Sequence, residues 1–341
     1  MNPLAILGSG MVTGVGFNAP ASCAAIRVGI TGFQETRFMF DGAWLTGCEV
    51  SFEQGWRGRE KLLQMITPAI QECLDLIGNT PAQQVPLLLC VAEPERPGRF
   101  ADLNDSFLRD VQTRLDQTFH GDSAVISRGR IGPIEALARA DTLLSRGRPY
   151  CIVAGVDTLL TASTLNYYHE KRRLLTNENS NGFTPGEAGA AVLLAPSKEQ
   201  PLPQLCCLGL GLGMEKATVE AEEPLRADGM TQAIKAALAD GHCTYSDLHY
   251  RITDISGEQY GFKEAALAES RTLRERKEEF DIWHPADCIG EVGAAVVPLV
   301  LGVALAAARK GYAPGPGVLC HFAADGGDRA ALVLRYLERT A

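Results

Sequence analysis

Several things are scarce in this chain, and each scarcity removes a class of function. Basic charge is outnumbered: 32 Lys and Arg against 41 Asp and Glu give a formal net charge of −9. Nucleic-acid binding draws its affinity mainly from Lys and Arg contacts to phosphate, so neither DNA nor RNA is an expected partner. The ten cysteines form no CxxC pair and no Cys/His ligand spacing. Most sit in apolar runs such as Leu89-Cys90-Val91 and Tyr150-Cys151-Ile152, which predicts buried free thiols in a reducing compartment, a cytoplasmic location and no metal. The N-terminus runs straight into the strand-like segment Leu4 to Leu7 with no basic region or cleavage site ahead of it, so no signal peptide is expected. The longest apolar stretch, Val292 to Ala308, is interrupted by Gly293, Pro298 and Gly302. It is short for a membrane span and reads as a buried core helix.

What is present is ordinary globular material, with 46% hydrophobic and 21% charged residues over 341 positions and 35 glycines. That length supports two domain-sized units or one body of two similar halves. Short β-rich runs (Leu4–Leu7, Leu87–Val91, Ala124–Ser127, Cys151–Gly155, Ala190–Leu194) alternate with segments of helical period such as Lys61 to Ile77. The rhythm returns in Pro203–Gly211, Tyr250–Ile255, Val318–Phe322 and Ala330–Leu334, with helices over Thr231–Ala239 and Ala294–Ala308. This predicts a layered α/β body. A proline-bearing break from Pro196 to Pro203 divides the chain into halves, 1–197 and 198–341. The halves resemble one another. Gly186 to Leu194 ends one and Gly326 to Leu334 ends the other, and Ile131-Gly132 and Ile289-Gly290 each open an alanine-containing helix that stops at a glycine. Two facing central helices of a duplicated unit are therefore expected.

Gly8-Ser9-Gly10-Met11-Val12-Thr13-Gly14-Val15-Gly16 follows the first strand-like run, but residue 13 is not the glycine that GxGxxG requires. Dinucleotide binding is not expected, nor is any other cofactor. The segment resembles the opening of the β-ketoacyl synthases. Asn181-Gly182-Phe183-Thr184-Pro185-Gly186-Glu187-Ala188-Gly189-Ala190 is similar to that family's Asp-Gly-Phe-x-x-Gly-Glu-Gly-Ala-Gly stretch. Ala233 to Asp240 with Tyr245-Ser246-Asp247-Leu248 resembles the helix and turn before the family's first histidine, and Phe322 to Leu334 its terminal loop and strand. The resemblance implies a thiolase-like fold in which two duplicated α/β halves form a layered αβαβα body.

The family's chemistry needs a thiolate at a helix N-terminus, where the helix dipole lowers its pKa, together with two histidines. Counting back from Leu144-Ser145-Arg146-Gly147, the resemblance puts Arg130 at the nucleophile's position. The segment expected to carry the first histidine reads Asp254-Ile255-Ser256-Gly257-Glu258, which leaves Ser256 near that position, and Glu291 takes the place of the second histidine in Ile289-Gly290-Glu291. Ala324 replaces a gating Phe. No catalytic residue of the family's kind is expected. The rival reading is an acyl-thioester enzyme, a condensing enzyme or hydrolase, working through a carboxylate base (Asp254, Glu258 or Glu291) or a relocated nucleophile (Cys288 or Cys320). Neighbouring strand residues point to opposite faces, so Cys320 and His321 are not expected to form a dyad. Two charged runs, Glu170-Lys171-Arg172-Arg173 and Arg271 to Glu279, read as a weak docking candidate and a solvated helix face. The expected role is a catalytically silent accessory or chaperone protein. Its expected partners are a second copy, joined antiparallel along Ala124–Ser127, and another protein: an active synthase, a carrier protein or a secreted effector. Arg130 and Glu291 are expected to meet in the centre of the molecule.

Overall fold

The computed structural model describes residues 1–197 and 203–337, so the join between the two halves lies mostly outside the described residues. Among these, the strands are β1 (Leu4–Thr13), β2 (Phe33–Phe40), β3 (Ala43–Cys48), β4 (Leu87–Val91), β5 (Ala124–Ser127), β6 (Cys151–Thr158), β7 (Glu187–Pro196), β8 (Gln204–Met214), β9 (Tyr250–Thr253), β10 (Ile282–Trp283), β11 (Gly317–Ala323) and β12 (Asp328–Leu337). The α-helices are α1 (Ala19–Arg27), α2 (Gly58–Leu74), α3 (Asp105–Leu115), α4 (Gly132–Ser145), α5 (Ala162–Glu170), α6 (Asp228–Asp240), α7 (Gln259–Thr272), α8 (Ala286–Ile289) and α9 (Val296–Arg309).

Ten strands run in the order β10-β9-β11-β12-β8-β1-β7-β6-β4-β5. The order is a duplication. In each half the second strand pairs in parallel with the third and fourth, the fourth pairs antiparallel with the fifth, and the fifth antiparallel with the first. The halves meet where Leu4–Ile6 of β1 pair antiparallel with Leu205–Cys207 of β8.

Period-2 alternation then assigns the layers. Leu88 and Cys90 of β4, Cys151 and Val153 of β6, Val318, Cys320 and Phe322 of β11, and Ala330, Leu332 and Leu334 of β12 share one core with α4 and α9. The intervening residues of β4 and β6 pack outward on α2 and α3. Leu319, Ala331 and Val333 pack outward with α6. The result is helix, sheet, central helices, sheet, helix, with α4 and α9 buried between two apolar faces.

The glycine-rich segment 8–16 differs from expectation. Residues 8–13 are strand, because β1 continues through Thr13 past a bulge between Ile6 and Gly8, and only Gly14 to Gly16 turn after it. Its glycines serve packing: a Cβ at Gly10 would stand 1.9 Å from the carbonyl oxygen of Ala69 on α2, a separation no side chain tolerates. The hairpin β2–β3 is an element that alternation did not reveal. The Ile-Gly correspondence also shifts. Ile131-Gly132 opens α4 directly, whereas Ile289-Gly290 closes the short α8 and a 3-10 turn, Gly293–Ala295, precedes α9. The matching feature in the first half is the 3-10 turn Gly129–Ile131 before α4.

Candidate functional site

The site is built where these two turns face each other. Gly129 adopts a left-handed conformation (φ 52°), and a Cβ there would approach Glu93 Oε2 to 2.2 Å. Glycine is thus required on both counts, and the turn delivers Arg130 to the head of α4. Its Nη2 lies 2.9 Å from Glu291 Oε2, and its Nη1 donates to the Ala323 carbonyl at 3.2 Å. The expected meeting of Arg130 and Glu291 is therefore seen. Glu291 is held by its backbone to the Asn181–Ala190 segment: its N–H donates to Thr184 O at 2.8 Å, and its carbonyl accepts from Gly186 N–H at 2.9 Å. Its Oε1 accepts from Gly293 N–H at 2.9 Å and so caps the turn before α9.

More carboxylates and guanidiniums surround the pair. Asp254, at the end of β9, accepts from Ala323 N–H at 2.8 Å. Asp325 accepts from Arg173 Nη2 at 3.1 Å and from the Tyr168 hydroxyl at 3.0 Å. Arg173 in turn forks onto Glu258, with Nε and Nη2 at 2.8 and 2.7 Å from its two oxygens. Asp157, at the end of β6, pairs with Arg96 and accepts from Ala294 N–H at 3.0 Å.

This arrangement sets the protonation states. Burial works against the charge of Arg130, but Glu291, Asp325 and Asp254 outweigh it and hold the guanidinium firmly protonated. Burial, reinforced by Asp254, opposes ionisation of Glu291 more than Arg130 favours it, and pushes its carboxyl up to about 7. Asp254 is likewise pushed up to about 6 by burial. Partial desolvation would also raise Asp325, whose side chain is 36% exposed, but Arg130, Arg173 and its hydrogen bonds prevail and hold it well below the ordinary carboxylate range.

Arg130 separates two cavities. The smaller, about 50 Å³, is lined by Asp254, Ser256 and Glu258, and the larger, about 440 Å³, by Glu93, Tyr168 and Glu291; Ala324 and Asp325 border both. The structure thus gathers Arg130, Asp254, Ser256, Glu258, Glu291 and Ala324 into one centre. It does not bring the two cysteines there. Cys320 is wholly buried in the central core, its thiol raised well above the ordinary value by desolvation. Cys288 packs toward Ile26 on α1, its Sγ 4.0 Å from that carbonyl, and burial raises its thiol too. His321 reaches the smaller cavity, but burial and then Arg251 push its imidazole down to about 3, so it stands there neutral. Cys320 and His321 do face opposite sides of β11: Cys320 belongs to the central core, His321 to the cavity. Among the described residues no three His, Cys, Asp or Glu side chains converge as metal ligands, and no helix is long and apolar enough to cross a membrane.

Sequence reasoning missed Asp325, Tyr168, Arg96 and Asp157. Arg173 was misplaced within a surface-charge reading, since it is 5% exposed and doubly paired. The signal available was its place three residues before the Thr176–Asn179 turn that folds the Asn181 segment back upon it, where Phe183 N–H donates to Arg173 O at 2.8 Å. The other charged run is no helix face beyond Thr272, where α7 ends.

No family model matches the chain, and no curated protein matches it. Solved structures do. A ketosynthase in complex with its chain length factor from Xenorhabdus doucetiae is similar over 98% of both chains, at 16% identity and a TM-score of 0.74. A type II polyketide synthase ketosynthase structure with its acyl-carrier protein is similar over 98% of this chain and 100% of that one, at 15% identity and a TM-score of 0.80. A β-ketoacyl synthase from Burkholderia phymatum covers 99% of this chain and is itself covered in full, at 14% identity and a TM-score of 0.74. With the duplicated five-strand halves and the paired central helices, these full-length likenesses establish that the chain has the thiolase-like fold of the ketosynthases.

Proposed function

We propose that this chain is a catalytically silent ketosynthase-fold subunit that acts by binding and assembly. The observation that carries the reading is the Arg130–Glu291 pair at the head of α4, its carboxylate buried and its guanidinium 14% exposed. A thiolate nucleophile at a helix N-terminus is activated by the dipole and by free N–H groups. A guanidinium in that position has no lone pair to attack a thioester and stays protonated. Glu291 donates a hydrogen bond only in its protonated form, and as a carboxylate it repels an anionic extender unit. No cysteine lines either cavity among the described residues.

The assembly part of the proposal rests on β5. This strand pairs with β4 on one side and ends the sheet on the other. An edge of Ala-Val-Ile-Ser is an aggregation risk unless covered, and a second ketosynthase-fold chain adding antiparallel along β5 covers it. Two of the similar structures are complexes of a ketosynthase with a chain length factor, which supports pairing of this fold with a second copy of itself or with an active synthase. The test is incubation with acyl-CoA, acyl-carrier protein and malonyl thioester, followed by intact-mass and product analysis. The proposal expects no acyl adduct and no condensation product.

A further inference from the structure

Away from this centre, at the opposite sheet edge, a cavity of about 250 Å³ lies between α1 and the segment joining β10 to α8. Its walls include Trp283, Tyr312, Val303 and Cys288, with Arg27 and His284 at its rim. Trp283 and Tyr312 lie nearly parallel, ring centroids 6.2 Å apart at 23°, and Tyr250 braces Trp283 from 4.7 Å. The two rings stack on one another, and the border of such a fixed stack takes a planar ring edge to face. The volume suits one ring and a short arm, since an apolar cavity of about 150 Å³ already accepts benzene.

The charges at the rim decide the arm. His284 Nδ1 lies 2.7 Å from the Asp287 carboxylate, which raises the imidazole above its ordinary value, so that protonated His284 offsets this acid's charge. Arg27 has no carboxylate partner among the described residues; its guanidinium stands 4.3 Å over the Tyr312 ring. A ligand whose ring lies against Trp283 and Tyr312 meets this cation with whatever group it carries. We infer that this cavity is a binding site for a small aromatic carboxylate, its ring against Trp283 and Tyr312 and its carboxylate on Arg27. The inference is independent of whether the central site is silent.

The experiment titrates the whole protein with 3-phenylpropanoate and with its neutral analogue 3-phenylpropanol, read by calorimetry and by tryptophan fluorescence. The expected result is saturable binding of the acid, at least about tenfold tighter than the alcohol, as a charge-assisted contact to Arg contributes. Arg27→Gln, on an exposed side chain whose loss leaves the core intact, is expected to abolish that preference by bringing the affinity for the acid down to that for the alcohol. Trp283→Phe is expected to remove the fluorescence response but not the heat. No saturable binding of the acid below 10 mM, equal affinity for acid and alcohol, or an undiminished preference in Arg27→Gln each overturns the assignment.

Discussion

Replacing Glu291 with alanine strands a guanidinium in the middle of the molecule. The variant removes the carboxylate 2.9 Å from Arg130 and the acceptor of the Gly293 N–H. Breaking a buried ion pair by deleting one partner costs about 3–5 kcal/mol, because the remaining charge is left desolvated. Arg130 retains Asp325 and Asp254 as neighbouring anions and the Ala323 carbonyl as an acceptor, which puts the expected loss near the lower end, about 3 kcal/mol. Glu291→Gln keeps a side-chain oxygen for Gly293 N–H and resembles the protonated carboxyl that folding favours, so its cost is expected to be smaller, under about 1 kcal/mol. Arg130→Met combined with Glu291→Gln removes both charges and is expected to lie within about 1 kcal/mol of the unmodified protein, as buried pairs exchanged for apolar groups often do. Denaturant titration measures all three through their midpoints, provided the slope stays constant. A loss under about 1 kcal/mol for Glu291→Ala is the value of an exposed pair. That result, or a double variant destabilised by more than about 3 kcal/mol, refutes the reasoning.

Stability is also expected to depend on pH in an unusual direction. Glu291 is raised from 4.5 to about 7 and Asp254 from 3.8 to about 6 by folding, so between these values the native state binds more protons than the unfolded chain. Stability therefore falls as pH rises from about 4.5 to about 7, while Asp325, held low, contributes stability that is lost below its unfolded value of 3.8. Thermal denaturation across pH 4 to 8 checks this, and Glu291→Gln is expected to flatten the decline; a rise from pH 5 to 7.5 contradicts it. Light scattering on a dilute sample is expected to give twice the mass of the chain, through antiparallel β5 pairing, whereas a monomer indicates that another protein covers that edge.

The fold was legible because two simple patterns carry it. Short continuous apolar runs in Leu87–Val91 and Val318–Phe322 mark strands buried on both faces, and the repeat of Gly186–Leu194 in Gly326–Leu334 marks the duplication. Segment 8–16 misled because glycines chosen for close helix packing look locally like loop glycines. At the centre, Arg130 and Glu291 were legible because each occupies a position fixed by its distance from a recognisable helix or turn. Arg173, Tyr168 and Asp325 were not: they converge from three loops and helix ends, 152 positions apart in the case of Arg173 and Asp325, and no local period records such a meeting. The charge of Arg173 favoured a surface reading, which holds only where no partner is folded onto such a residue.

The central claim, a ketosynthase fold without the covalent step, is tested most directly by intact-mass spectrometry after incubation with a long-chain acyl-CoA and acyl-carrier protein. The account predicts an unmodified mass and no condensation product on adding malonyl thioester, because Arg130 supplies no nucleophile and the thiols of Cys288 and Cys320 are buried away from the site. A stoichiometric acyl adduct on either cysteine or on any other residue, accompanied by turnover, contradicts it.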